Sequence, residues 1–125
     1  MKKFLALVFC TAVLAGCSGG GYKDGTYTGQ SAPDEDGEYS TVTITVQDNV
    51  ITACDFKTFE SNGEEKGEEY AQSAPEAAVA VDSVPEYAKA LVAAGDIAEV
   101  DAISGATENY NQLNEAVYDA LGKAQ

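Results

Sequence analysis

A chain of 125 residues carries 21 acidic side chains against seven basic ones, all of them lysine, for a formal net charge of −14. Such a surface is repelled by nucleic acid and by anionic lipid headgroups, and it lacks the guanidinium fork that clamps phosphates. With no histidine and three cysteines, imidazole general-base catalysis and a Cys/His metal cluster are both excluded.

The chain opens with Met1-Lys2-Lys3, a positive segment, and then runs apolar from Phe4 to Leu14 apart from Thr11. About eleven apolar residues are too few to span a bilayer as a helix, so residues 1–16 read as a signal peptide. Leu14-Ala15-Gly16-Cys17 resembles the bacterial lipobox, which implies cleavage before Cys17 and attachment of lipid to its thiol. Residues 17–23, with Ser18-Gly19-Gly20-Gly21, are the expected flexible tether. Two or more acyl chains hold a protein firmly on a membrane, so the expected address is the extracytoplasmic face of the cell membrane. The alternative is an ordinary secretory signal with an incidental cysteine. On the lipoprotein reading Cys54 is the one thiol left, no internal disulfide forms, and Cys54 serves as a small core hydrophobe.

Residues 22–30 read as a glycine-bounded strand and Ser31 to Glu38 as a polar loop. From Tyr39 to Val46 the pattern alternates, with Val42, Ile44 and Val46 on one face and Thr41, Thr43 and Thr45 on the other. Gln47-Asp48-Asn49 predicts a tight hairpin turn, because Asn tolerates positive φ, and Val50 to Phe59 is the returning strand. An acidic loop follows from Glu60 to Glu69, and Ala71 to Val81 is either loop or loose helix. Ser83 to Ala94 predicts a helix opened by Ser83 and Pro85 and closed by Gly95, with Val84, Tyr87, Ala88, Leu91 and Val92 as its apolar stripe. Asp34, Asp36 and Glu38 alternate like the opening of a calcium loop. The turn glycine is replaced by Tyr39, however, and Thr45 stands where the distal bidentate Glu belongs. They read as a solvated acidic loop, and no metal site is expected.

Val100 to Ile103 reads as a short extended segment that ends in Ser104-Gly105. Tyr110, Leu113, Ala116, Val117, Ala120 and Leu121 then recur at helical spacing, predicting a helix near 108–122. The whole predicts an α+β fold: an antiparallel sheet with a central hairpin and two packed helices, in one domain of modest core. Thr107 falls at or near the N-terminus of the last helix, where free N–H groups and the helix dipole favour an anion. Lacking arginine, the chain must hold any phosphate by backbone N–H groups, hydroxyls or a covalent bond. Gly105 and Ala106 let a bulky group approach the backbone. The plainer alternative is that Ser104 or Thr107 caps the helix and Gly105 makes the turn.

Asp101, Ser104, Gly105, Ala106 and Thr107 match the D-x-x-S/T-G-A-T segment of the FMN-binding domain family, which this chain resembles from about Asp24 to Leu121. That family includes the C subunit of the sodium-pumping NADH:quinone reductase and many small bacterial surface lipoproteins. Asp24-Gly25-Thr26-Tyr27-Thr28-Gly29 and the Val42–Val46 strand share in the resemblance, which makes residues 24–125 an FMN-binding domain. It implies FMN joined to Thr107 by a phosphoester bond, made by a separate FMN transferase that uses FAD and a divalent metal. Asp101 and Ser104 would be recognised by the transferase or touch the phosphate, Gly105 and Ala106 would give access, and none is a catalyst.

The implied function is electron carriage between a membrane reductase or quinone pool and a downstream acceptor, by a monomer anchored through its lipid. A surface lipoprotein that binds without covalent flavin, or binds FMN reversibly, is the alternative. Two departures from the family stand out: Asp48-Asn49 where D-G is usual, and Glu108-Asn109 where relatives often carry Ser or Thr. Tyr27, Tyr39, Tyr70 and Tyr110 are the aromatic candidates for contact with the flavin ring, and the sequence does not choose among them.

Overall fold

β-Branched residues at every second position of Tyr39–Gln47 (β2) put Val42, Ile44 and Val46 on one side of the pleat, where all three are fully buried. The described structure, a computed structural model, covers residues 21–125. The signal-like segment and Cys17 therefore lie outside the described residues. β2 is the middle strand of a three-stranded antiparallel sheet, with Gly25–Gln30 (β1) on one side and Val50–Phe59 (β3) on the other. Tyr27 pairs with Ile44 and Ile44 with Cys54, so the core face runs straight across the sheet. Thr41, Thr43 and Thr45 occupy the opposite face.

The β2–β3 turn is Asp48-Asn49, with φ of 52° and 68°. Positive φ at both central residues is the twist-matched two-residue hairpin, so Asp-Asn does here what Asp-Gly does elsewhere. The turn is also tied down from outside. Tyr22 N–H donates to Asn49 Oδ1 at 2.7 Å and Asp48 N–H to Asp24 Oδ1 at 3.0 Å.

Two long helices cover the apolar face. Thr107–Gly122 (α3) lies on β1 and β2, and Pro75–Ala94 (α2) lies on β3. Leu113, Ala116, Val117, Ala120 and Leu121 form the buried stripe of α3, as their spacing predicts. Gly29 is where this helix touches the sheet backbone. A Cβ there would stand 2.0 Å from the Ala116 carbonyl oxygen and 2.6 Å from the Ala120 nitrogen. Further along α3, Asp119 Oδ2 accepts the Gln30 N–H at 3.0 Å, and Lys123 Nζ donates to the Thr28 carbonyl at 2.6 Å.

Three readings of the sequence need correction. Pro85 does not open a helix at Ser83: α2 is continuous from Pro75, which occupies the first turn, where a missing N–H costs nothing. Inside the helix, Pro85 removes the N–H that would reach Val81. One carbonyl earlier, Ala80 is satisfied by the Ser83 hydroxyl at 2.7 Å and by Asn109 Nδ2 from α3 at 2.9 Å. Val92 also leaves the expected stripe and is 38% exposed, whereas Tyr87 and Leu91 are fully buried. A short helix, Glu68–Ala71 (α1), begins in the last two residues of the stretch read as acidic loop and runs past it, and Gly95 closes α2 at φ 75°, as expected. Among the described residues, no helix is long and apolar enough to cross a membrane.

Candidate functional site

Asp96 starts the segment that leads to the motif, its Oδ1 accepting the Ala98 N–H at 3.0 Å to cap a single 3-10 turn, Ile97–Glu99. Ile97 and Val100 are buried and pin this stretch to the core. The expected extended segment over 100–103 is present only as unpaired backbone. It joins no strand of the sheet, because the 3-10 turn delivers it beside α2 and not along a sheet edge.

Ile103 to Ala106 then make a reverse turn, closed by the Ala106 N–H to Ile103 carbonyl bond at 2.9 Å. Gly105 takes the third position with φ 84°, a conformation that favours glycine. A Cβ at Gly105 would also come within 3.1 Å of Val79 Cγ1, so α2 crowds the turn from below. Ala106 is buried and stands at the N-cap of α3, and Thr107 is the first helical residue. Asp101, Ser104, Gly105 and Thr107 are all exposed. The motif thus presents its two hydroxyls and its glycine to solvent while its flanks, Val100 and Ala106, are held in the core.

Neither Ser104 nor Thr107 caps the helix: α3 begins without a side-chain cap. The first-turn N–H groups of a helix have no partner within the helix, and the Tyr110 N–H at 3.2 Å from the Ala106 carbonyl is the first to find one. A phosphate at Thr107 would meet those free N–H groups, a hydroxyl at Ser104 and the positive end of the α3 dipole. This donor set fits the phosphate of a flavin mononucleotide without any arginine. Glu108 is exposed and lines the neighbouring cleft. Asn109 turns inward, donating to Ala80 and to Ser83 Oγ at 3.1 Å.

One helical turn beyond Thr107, a cleft of about 740 Å³ opens between the 32–36 loop and the face of α3 that carries Glu108, Asn111 and Glu115. A buried polar chain holds its loop wall. Ser40 N–H donates to Ser31 Oγ at 2.9 Å, Ser40 Oγ donates to Gln112 Oε1, and Gln112 Nε2 donates to Asp34 Oδ2 at 3.3 Å. Glu115 Oε1 accepts the Ala32 N–H at 2.9 Å. Of the four aromatic candidates, Tyr110 lines this cleft. The others have different duties. Tyr27 donates to the Lys23 carbonyl, Tyr39 stacks on Phe59 at 5.1 Å, and Tyr70 lies under the Lys66 ammonium at 4.8 Å.

The carboxylates of Asp34, Asp36 and Glu38 come within 4.8 Å of one another. Asp34 Oδ1 accepts the N–H groups of Asp36 and Glu38, both at 2.9 Å, and Glu38 pairs with Lys66 at 2.7 Å. These contacts fold the loop.

Sequence reasoning missed Tyr87, Asn109 and Gln112. Tyr87 falls on the apolar stripe of its helix, and nothing in local spacing shows where its hydroxyl goes. Gln112 had a legible signal, since it interrupts the apolar face of α3 beside Leu113 and Ala116. Cys54 packs against the core, where burial and the neighbouring Asp55 push its thiol up to about 12. At neutral pH it is neither a nucleophile nor a ready ligand.

The model of the FMN-binding domain matches residues 37–122, and the chain belongs to the FMN-binding domain family. FMN is accordingly its cofactor, and the protein is a flavoprotein. Its fold is similar to that of the CPE2226 protein of Clostridium perfringens, a crystal structure, with a TM-score of 0.69 and 27% identity. That likeness covers 82% of this chain and 88% of the other. A solution structure from Clostridium thermocellum shares the fold at a TM-score of 0.50 and 23% identity, over 82% of this chain and 92% of that one. No curated protein matches the chain.

Proposed function

We propose that this protein is a lipid-anchored electron carrier whose FMN is esterified to Thr107. The observation that carries the reading is an exposed Thr107 hydroxyl at the first position of an uncapped helix, beside a turn whose flanks are buried. A separate FMN transferase, with FAD and a divalent metal, makes the bond. The Thr107 Oγ–phosphorus bond forms as the phosphorus–oxygen bond to AMP breaks, AMP leaves with the bridging oxygen, and the hydroxyl proton passes to solvent. Asp101 and Ser104, exposed on either side of Ile103, are the side chains open to the transferase. The bound flavin supplies reversible electron transfer. The protein contributes the tether at Cys17, the phosphate seat at α3, and the cleft wall of Glu108, Tyr110, Asn111 and Asn114. Electrons arrive from a membrane reductase or quinone pool and leave to a downstream acceptor, on the extracytoplasmic face.

The test is co-expression with an FMN transferase, followed by intact mass with and without Thr107→Ala. Parent protein heavier by one FMN unit, with an unshifted variant and a flavin signal that survives denaturation, supports the reading. Flavin lost on denaturation supports a reversible FMN site instead. No flavin under either condition leaves a binding module.

A further inference from the structure

Tyr87 is fully buried on α2, yet its hydroxyl bonds no group of its own helix. It accepts the Ile103 N–H at 2.7 Å and donates to the Ala106 carbonyl at 2.9 Å. Those residues are the two ends of the motif turn, already joined by the Ala106 N–H to Ile103 carbonyl bond. The phenol therefore braces the turn from the core side and completes a closed ring of three hydrogen bonds. Ala106 oxygen also accepts the Tyr110 N–H, so one atom couples the brace to the start of α3 and hence to Thr107.

The ring itself is held by aromatic neighbours. Phe56 meets it edge-on at 6.3 Å and Tyr110 lies 6.2 Å away. Burial raises the phenol's pKa, with the Ile103 bond working in the opposite sense, so the hydroxyl keeps its proton and remains able to donate. Above the brace, Ser104 and Gly105 are exposed, while Ile103 and Ala106, the two ends of the turn, pack against the core. The hydroxyl ties those two ends to each other and to α2.

We infer that Tyr87 is a positioning residue for flavin transfer, its hydroxyl holding the Ile103–Ala106 turn in the shape that presents Thr107 to the transferring enzyme. The inference rests on Thr107 being the acceptor. A transferase that binds the turn in one shape sees only the fraction of protein in that shape, so loosening the turn raises the apparent dissociation constant in proportion. Once the turn is docked, the chemical step proceeds as before. The signature is a raised KM for the protein substrate with kcat little changed.

The experiment uses full-length protein purified in detergent from cells without the transferase, then incubated with purified FMN transferase, FAD and magnesium. Tyr87→Phe keeps the ring and removes the hydroxyl. Leu121→Val is the control, a small loss of packing at the far end of α3. Thermal unfolding confirms that both variants fold. Tyr87→Phe is expected to raise KM about three- to tenfold, the range for one hydrogen bond of ordinary strength. Its Ile103 amide should exchange faster with deuterium, while Leu121→Val keeps parental kinetics. A parental KM in Tyr87→Phe, or an equal rise in Leu121→Val, overturns the role of Tyr87 alone. An unlabelled parent overturns Thr107 as acceptor and this role with it, and the two failures are told apart by whether the parent takes up flavin.

Discussion

Thr107 and Ser104 are both exposed hydroxyls in the same turn, so the chemistry alone does not choose between them. Position does: Thr107 is inside the helix, at the end of its dipole, and Ser104 is outside it. Thr107→Ser keeps a hydroxyl at that position and should retain part of the labelling, whereas Thr107→Ala should lose it, as read by intact mass. Labelling of Thr107→Ala would move the acceptor to Ser104. Cys54 supports a second prediction at this scale. Its thiol is raised from the usual 9.0 to about 12 by burial first and by Asp55 second. At pH 8 the native protein should resist iodoacetamide, and the urea-unfolded chain should react readily. The sign for stability follows from linkage: below pH 9 both states keep the proton and nothing changes. Between 9 and about 12 the unfolded thiol ionises first, so the native state loses stability as pH rises. Denaturant midpoints for Cys54→Ala should fall less over that range than those of the parent.

At the scale of elements, the α3–β1 contact is where, among the glycines of the described residues, an added Cβ would come nearest to a neighbouring atom. Gly29→Ala places a methyl group against the α3 backbone, and a backbone cannot turn aside as a side chain can. Overpacking of this kind costs about 1–3 kcal/mol, and the clash with two backbone atoms puts Gly29→Ala at the upper end. Urea unfolding followed by circular dichroism measures it, and an unchanged midpoint would mean that α3 sits higher on the sheet than described. Asn109 is the equivalent link between α2 and α3. Its amide reaches Ala80 and Ser83 across the helix pair near Pro85, and Asn109→Ala removes both of these links. The expected loss is about 1 kcal/mol, read in the same unfolding experiment. It should be smaller than the loss for Gly29→Ala.

For the whole molecule, charge and the proposed anchor bear on where the protein would work. Across the chain, twenty-one acidic residues against seven basic ones disfavour contact with an anionic membrane surface, so on the proposed lipoprotein reading attachment would depend on the lipid at Cys17. Cys17→Ser should abolish labelling by a lipid analogue and release the protein from the membrane fraction. Equal labelling of parent and variant would place the anchor elsewhere. The acidic walls of the cleft, with Asp34, Glu35, Asp36, Glu108 and Glu115, oppose negative charge on a nearby reduced flavin. Glu108→Gln should therefore raise the reduction potential of the loaded protein, measured by spectroelectrochemistry. A potential that does not move would mean that the flavin lies away from this cleft.

What could be read without a structure was whatever repeats within one element. Alternation in Val42, Ile44 and Val46 placed β2, Asp48-Asn49 placed the hairpin, and helical spacing from Tyr110 to Leu121 placed α3 and its buried face. The motif from Asp101 to Thr107 was legible for the same reason, since its chemistry is contiguous along the chain. Local signals misled where a residue has two meanings: Pro85 can start a helix or sit within one, and here the helix runs on from Pro75 through Pro85 and packs on β3. The brace on the motif turn depends on Tyr87 meeting Ile103, a separation of 16, and the cleft wall on Ser40 meeting Gln112, a separation of 72. Hydrogen bonds between elements leave no period in a sequence, because each is made by packing that brings distant residues together, and tertiary structure alone determined them.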